Sequence, residues 1–184
     1  MRKNIGPKAM LYPMPVLIIG TYDKCGVPDA MNAAWGGISE EREISICVSD
    51  DHKTTENFLQ SGAFTVSVAD VKNTVSADYV GIVSANDTPD KISKCGWTAV
   101  KSEVVNAPLF RELPFALECR VKSYDNESCK LVGEIVNISV DEDILTNGKI
   151  DLGKFYPITY DPSNHTYVAL GEVVGRAFSD GKKI

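Results

Sequence analysis

Apolar and polar positions alternate over most of this chain, and the alternation predicts strands far more often than helices. "PVLIIGTYD" (Pro15–Asp23) is a strand, "DKCGVPD" supplies Gly and Pro for a turn, and "AMNAAWGG" (Ala30–Gly37) is the returning strand. "EISICVS" follows as a third, with Ile44, Ile46 and Val48 on one side and Cys47 on the other, which predicts Cys47 as a buried structural thiol. "AFTVSVA" has the alternation of a half-buried strand, Phe64, Val66 and Val68 facing inward. "FALECRVKSYD" and "CKLVGEIVNISVD" are long β-rich strands joined through "DNES". "TNGKID" is a turn, and "TYVALGEVVGRAF" is the last strand.

Two helices interrupt this pattern. "TTENFLQSG" has Thr55, Phe58 and Leu59 on one face and Gly62 at the position of a C-terminal cap. Asp70 caps a second, "VKNTVSADYVGI", whose Val71, Val75, Tyr79 and Ile82 form an apolar stripe. Many antiparallel strands with few short helices predict a mainly β fold, a small barrel, rather than a regularly alternating α/β sheet. The 184 residues suit a single domain over 1–184, with no internal repeat or linker.

Charge and cysteine content narrow the partners. The net charge is −6 and no block of Lys/Arg exceeds two neighbours, so neither nucleic acid nor an anionic membrane is expected. The longest apolar run, "MPVLIIG", falls well short of the roughly 20 residues that cross a bilayer. Five cysteines without a CxxC spacing fit reduced thiols in a cytoplasm better than a disulfide frame, Cys25 in its turn being the more accessible. The two histidines lie at no metal-site spacing, and no catalytic triad, P-loop or HExxH motif is present. No metal and no side-chain nucleophile or general base is expected.

The densest polar run, "SDDHKTTENF" (Ser49–Phe58), comes between the third strand and the first helix. A helix start offers unpaired N–H groups and a positive dipole end, which with Lys53 and the Ser49, Thr54 and Thr55 hydroxyls suit a phosphate. Alone, such a run is an ordinary cap for a surface helix, and Asp50 and Asp51 would have to point away from an anion. It has company, however. Asn32 carries an amide donor and acceptor beside the small Ala33 and Ala34, and Trp35 either covers a flat ring or fills the core. "GIVSAND" gives a small-residue turn with Ser84 as donor, and Lys91 is either a second cation or a solvated side chain.

Taken in order, "YPMPVLIIGT", "MNAAWGG", "SDDHKTTENF", "ADYVGIVSANDTPDKI" and "YVALGEVVGRAF" resemble the flavin reductase-like, FMN-binding split-barrel family, of the flavoredoxin type. The resemblance runs from about Pro13 to Phe178 and implies a split β-barrel working as a homodimer, with FMN near the subunit boundary. Carried over by position, Asn32, Ala33, Ala34 and Trp35 line the isoalloxazine ring and ribityl chain. Ser49, His52, Lys53, Thr54 and Thr55 gather about the phosphate, and Ser84, Ala85 and Lys91 close the other side. Family members often carry Ser-Gly at Ser84-Ala85, so the Ala85 methyl narrows that approach.

The flavin would carry the chemistry, accepting electrons from a reduced nicotinamide stacked transiently on it or from a protein donor. The absence of a GxGxxG motif is uninformative on this point. The alternatives are a flavin carrier without turnover and a thiol-based redox sensor or interaction module on the same barrel.

Overall fold

The computed structural model describes residues 1–184. In chain order the strands are β1 (Met14–Pro15), β2 (Leu17–Tyr22), β3 (Pro28–Ala33), β4 (Gly36–Glu40), β5 (Glu43–Cys47), β6 (Ala63–Val68), β7 (Ala99–Lys101), β8 (Pro108–Phe110), β9 (Phe115–Asp125), β10 (Lys130–Val140), β11 (Leu145–Thr146), β12 (Lys149–Ile150), β13 (Ile158–Asp161) and β14 (Thr166–Ala169). The helices are α1 (Lys53–Ser61), α2 (Thr74–Ile82), α3 (Lys91–Lys94) and α4 (Leu152–Phe155). Mainly β structure with short helices on the connections is what the alternation predicts.

Seven strands form one antiparallel sheet in the order β3-β2-β6-β9-β10-β5-β4. Its two edges, β3 and β4, are consecutive in sequence and separated only by Ala34 and Trp35. A flat sheet of seven strands would hold its edges about 29 Å apart, whereas the step from Ala33 to Gly36 spans at most about 11 Å. The sheet must therefore curl until its edges meet. Gly36 marks the closure: a Cβ there would lie 3.0 Å from Leu17 Cδ1 on β2 and 3.0 Å from Ile46 Cγ1 on β5. No ladder joins β3 to β4, so the barrel is split. "AMNAAWGG" is thus not one returning strand but the end of one edge and the beginning of the other.

Inside the barrel pack Leu17, Ile19, Ile44, Ile46, Val48, Phe58, Phe64, Val66, Leu117 and Leu131. Phe58 enters from α1, which closes one end, and its ring meets Tyr124 edge-on at 5.4 Å. A second core lies on the outer face of β2 and β3, where Val16, Ile18 and Ala30 pack with Ala77, Val80, Ile92, Trp97 and Phe110. β6 is consequently buried on both faces: Thr65 and Ser67 are buried like Phe64 and Val66, and Thr65 Oγ1 donates to the Pro108 carbonyl at 2.6 Å. Its alternation describes inner and outer walls, not core and water.

The helices differ from their predicted faces. Gly62 caps α1 in the left-handed conformation (φ 68°), and Asp70 caps a 3-10 turn ahead of α2 by accepting from Asn73 N. However, Leu59 is exposed, and α1 buries Thr54, Thr55, Asn57 and Phe58 instead. On α2 only Ala77 and Val80 are buried and Tyr79 is half-buried against the second core, while Val75 and Ile82, with Val71 on the preceding 3-10 turn, point outward. Small Ala77 allows the helix to lie close on β3, which turns the bulkier Val75 and Ile82 to the surface. β14 stops at Ala169, and Leu170, Val173, Val174 and Phe178 continue as an exposed tail. Cys47 faces away from Ile46 and Val48 as expected but is exposed rather than buried. No helix is long and apolar enough to cross a membrane.

Phe64 is fully buried and touches Phe58 at 6.2 Å between ring centroids. Phe64→Ala should cost about 3–5 kcal/mol, read from urea unfolding as a lower midpoint with an unchanged slope.

Candidate functional site

α1 follows β5 after the connection 48–52, and its first N–H groups are left free. His52 takes the N-cap position with extended backbone (φ −76°, ψ 140°) and provides no side-chain cap. The Thr55 and Glu56 N–H groups donate to the His52 carbonyl, while those of Lys53 and Thr54 donate to nothing in the chain. The two threonine hydroxyls are engaged inward. Thr55 Oγ1 donates to the Ser49 carbonyl at 2.6 Å, and Thr54 Oγ1 donates to Asp29 Oδ2 at 2.7 Å. Thr55 thus braces the loop through the Ser49 carbonyl, and neither residue lines the cleft described below.

Lys91 is neither solvated nor free. It is 2% exposed, its Nζ lies 2.8 Å from Asp29 Oδ1, and it donates to the Val83 carbonyl at 3.0 Å. Asp29 links Lys91 on α3 to Thr54 on α1, while the neighbouring Asn57 Nδ2 donates to Thr21 Oγ1 at 3.1 Å. Five buried polar side chains thus join two helices to the β2–β3 hairpin. A buried pair stripped of one partner leaves an uncompensated charge.

A cleft of ≈190 Å³ opens above this network, lined by His52, Lys53, Thr54, Ser84, Ala85 and Lys91, half of the predicted site. Its electrostatics are mixed. Lys53 Nζ is held by Glu56 at 2.9 Å, and Lys91 is matched by Asp29. Asp50 leans toward Asn126, 3.5 Å away on the β9–β10 turn. Ser84 Oγ accepts from Asn86 N at 3.2 Å and shapes the opposite rim.

Gly81 and Ile82 line this cleft and also a second one, of ≈350 Å³, bounded by Asn32, Ala34, Asp78, Tyr160, His165 and Tyr167. The two clefts adjoin at Gly81, which packs so tightly on β3 that an added Cβ would lie 3.0 Å from Asn32 Cβ. Asn32 Nδ2 donates to the Ala77 carbonyl at 3.1 Å, leaving its Oδ1 as an acceptor. Tyr160 and Tyr167 are directly opposed on the β13–β14 hairpin, with ring centroids 6.1 Å apart. Tyr160 OH meets His165 Nδ1 at 2.7 Å, and Tyr167 OH donates to Asp78 Oδ1 at 2.8 Å. Burial, followed by the Asp78 carboxylate, pushes the Tyr167 phenol up to about 12.

The remaining predicted residues divide. Ala34 lines both the second cleft and a ≈450 Å³ hollow formed with Trp35 and the segment Lys8–Pro15. Trp35 is 59% exposed, so it does not fill the core, whereas Ala33 turns into the barrel. The sequence reading missed Asp29, Asp78, Tyr160, His165 and Tyr167. Only the paired tyrosines left a signal, as aromatic residues flanking the turn "DPSNH". Burial pushes the Cys119 thiol up to about 12, and Cys25 and Cys47 are exposed singly, without disulfides. No group of three or more His, Cys, Asp or Glu is arranged to hold a metal ion.

The curled, split antiparallel barrel with short helices matches the fold of flavin reductase-like proteins. The flavin reductase like domain matches residues 9–168, and the chain belongs to that family. It is similar to flavoredoxin of Desulfovibrio vulgaris (Miyazaki F), at 34% identity and a TM-score of 0.94, covering 98% of this chain and 100% of that one. It is also similar to flavoredoxin from Methanosarcina acetivorans, at 26% identity and a TM-score of 0.89, covering 100% and 98%. An Aeropyrum pernix protein is 29% identical over 121 residues, 63% of this chain; the matched stretch spans 46% of that relative's length. The family puts this chain among proteins of flavin-related redox chemistry.

Lys91→Met should destabilise the fold by about 3–5 kcal/mol. The double variant Asp29→Asn/Lys91→Met should recover much of that loss, as measured in a denaturant double-mutant cycle.

Proposed function

We propose that the protein is an FMN-dependent oxidoreductase. The observation supporting this reading is a pair of clefts that share Gly81 and Ile82 as lining, one donor-rich at α1 and the other aromatic at Tyr160 and Tyr167, which together form the groove. A ligand with an anionic terminus and a flat ring fits that division. The free N–H groups of Lys53 and Thr54 would hold the phosphate, aided by Lys53 Nζ once it leaves Glu56. Ser84 and Ala85 would form the facing rim, and Lys91, neutralised by Asp29, would brace the floor. Ala34 and Gly81 would admit the ring close to the backbone, with Asn32 Oδ1 as an oriented acceptor.

FMN, when bound, supplies the electron-transfer chemistry, and the protein sets position, solvent access and local charge. Electrons would arrive from a reduced nicotinamide or a protein donor and leave to an acceptor. We assign the protein to the cytoplasm, where its unpaired thiols stay reduced. An absorbance spectrum after gel filtration tests the cofactor, and anaerobic NADH followed by NADPH tests the donor. A retained flavin band bleached by one of them is expected. Absence of any flavin band after incubation with FMN would overturn the reading.

Because Thr54 Oγ1 is committed to Asp29, the clean test of the phosphate end is Lys53. Lys53→Ala should weaken FMN by about 1.5–3 kcal/mol and leave riboflavin nearly unchanged, in fluorescence-quenching titrations. Glu56→Gln, which releases Lys53, should tighten FMN selectively.

We further propose that two copies assemble. Val173, Val174 and Phe178 of the tail, and Val75 and Ile82 of α2, are exposed, and grouped apolar surface of this kind marks interaction sites. Light scattering should give twice 20.0 kDa. Val174→Asp combined with Phe178→Asp should shift the population toward the monomer.

A further inference from the structure

The aromatic end of the groove carries a charge that the proposed activity has not used. Asp78 lies on the outward side of α2, and Tyr167 OH donates to its Oδ1 at 2.8 Å. The Tyr167 oxygen stands 3.4 Å from Asn32 Nδ2, so the carboxylate, the phenol and the amide form one chain along the wall. Tyr160 is bonded to His165 Nδ1, leaving Nε2 as the only unengaged ring nitrogen. The titratable groups facing this end are therefore Asp78 from α2 and Tyr160, His165 and Tyr167 from the hairpin, with no Lys or Arg among them. Both lysines of the groove stand at its other end, each already matched by a carboxylate.

We propose that Asp78 is a potential-setting residue, whose carboxylate disfavours the negative charge that a ring in this compartment acquires on reduction. This rests on the flavin reading above. Two-electron reduction of the ring with uptake of one proton leaves it with one more negative charge than before. A carboxylate on the same wall, without a neighbouring Lys or Arg, raises the energy of that anion and leaves the uncharged oxidised ring almost untouched. The field is strengthened once the ring covers the wall and excludes water. Tyr167 fixes the distance. By donating its only proton to Asp78 it holds the carboxylate against the compartment, and it offers the ring no proton of its own.

The test is the midpoint potential of the flavin-loaded protein, from anaerobic dithionite titration beside a reference dye. Wild type is compared with Asp78→Asn, Asp78→Glu and Tyr167→Phe, and thermal melting serves as the control for folding. Asp78→Asn should raise the potential, so that its affinity for reduced relative to oxidised flavin increases by about threefold or more through linkage. Asp78→Glu should return it toward wild type, and Tyr167→Phe should fall between. A flavin-loaded Asp78→Asn protein whose potential is unmoved or lower overturns this inference alone. A wild-type protein that takes up no flavin overturns the cofactor reading first, and this one with it.

Discussion

The closure of the sheet at Ala34 and Trp35 is the constraint on which the rest of the molecule depends. Two residues carry the chain from one edge of a seven-stranded sheet to the other, which the extended reach of a polypeptide permits only if the sheet is rolled. Rolling creates an inside, filled by Ile19, Phe64, Val66 and their neighbours, and plugged at one end by Phe58 from α1. It also leaves β3 as an edge with no strand on its free side. α2 and the β13–β14 hairpin approach that edge without completing it, and the groove is the space between them.

Beneath the groove, burial of charge does what apolar packing cannot. Asp29 receives Lys91 from one side and Thr54 from the other, so the β2–β3 hairpin, α1 and α3 share one polar joint. Replacing such a joint by hydrocarbon can be neutral in stability, but hydrocarbon would not fix the angle at which α1 presents its first N–H groups. The direction of these donors is thus linked to a contact well below the surface.

Much of this was legible in the sequence where a residue's role is local. The strands were signalled by β-branched alternation, Gly62 by its position after "FLQS", and Asp70 by its place ahead of a helix. The polar run at Ser49–Phe58 was recognisable as a helix start, and six of its and its partners' side chains share one cleft. What escaped depends on distant partners. Asp29 sits in an ordinary turn-and-strand segment, and only the fold brings Lys91, far along the chain, to it. Of the apolar stripe expected on α2 only Tyr79 turns partly inward, while Val75 and Ile82 face outward, because small Ala77 takes the place against the second core. Periodicity locates a face; it does not say whether the face meets the same chain.

The contact between Lys53 and Glu56 has a consequence for how the groove responds to its surroundings. A lone lysine at a helix start would lose attraction for an anion steadily as ions accumulate around it. Here the lysine is contested, and dissolved salt screens the rival carboxylate along with the guest. Occupancy should therefore vary less with ionic strength than the exposed charges nearby would suggest, the fixed backbone donors remaining while the competition for the mobile side chain fades on both sides.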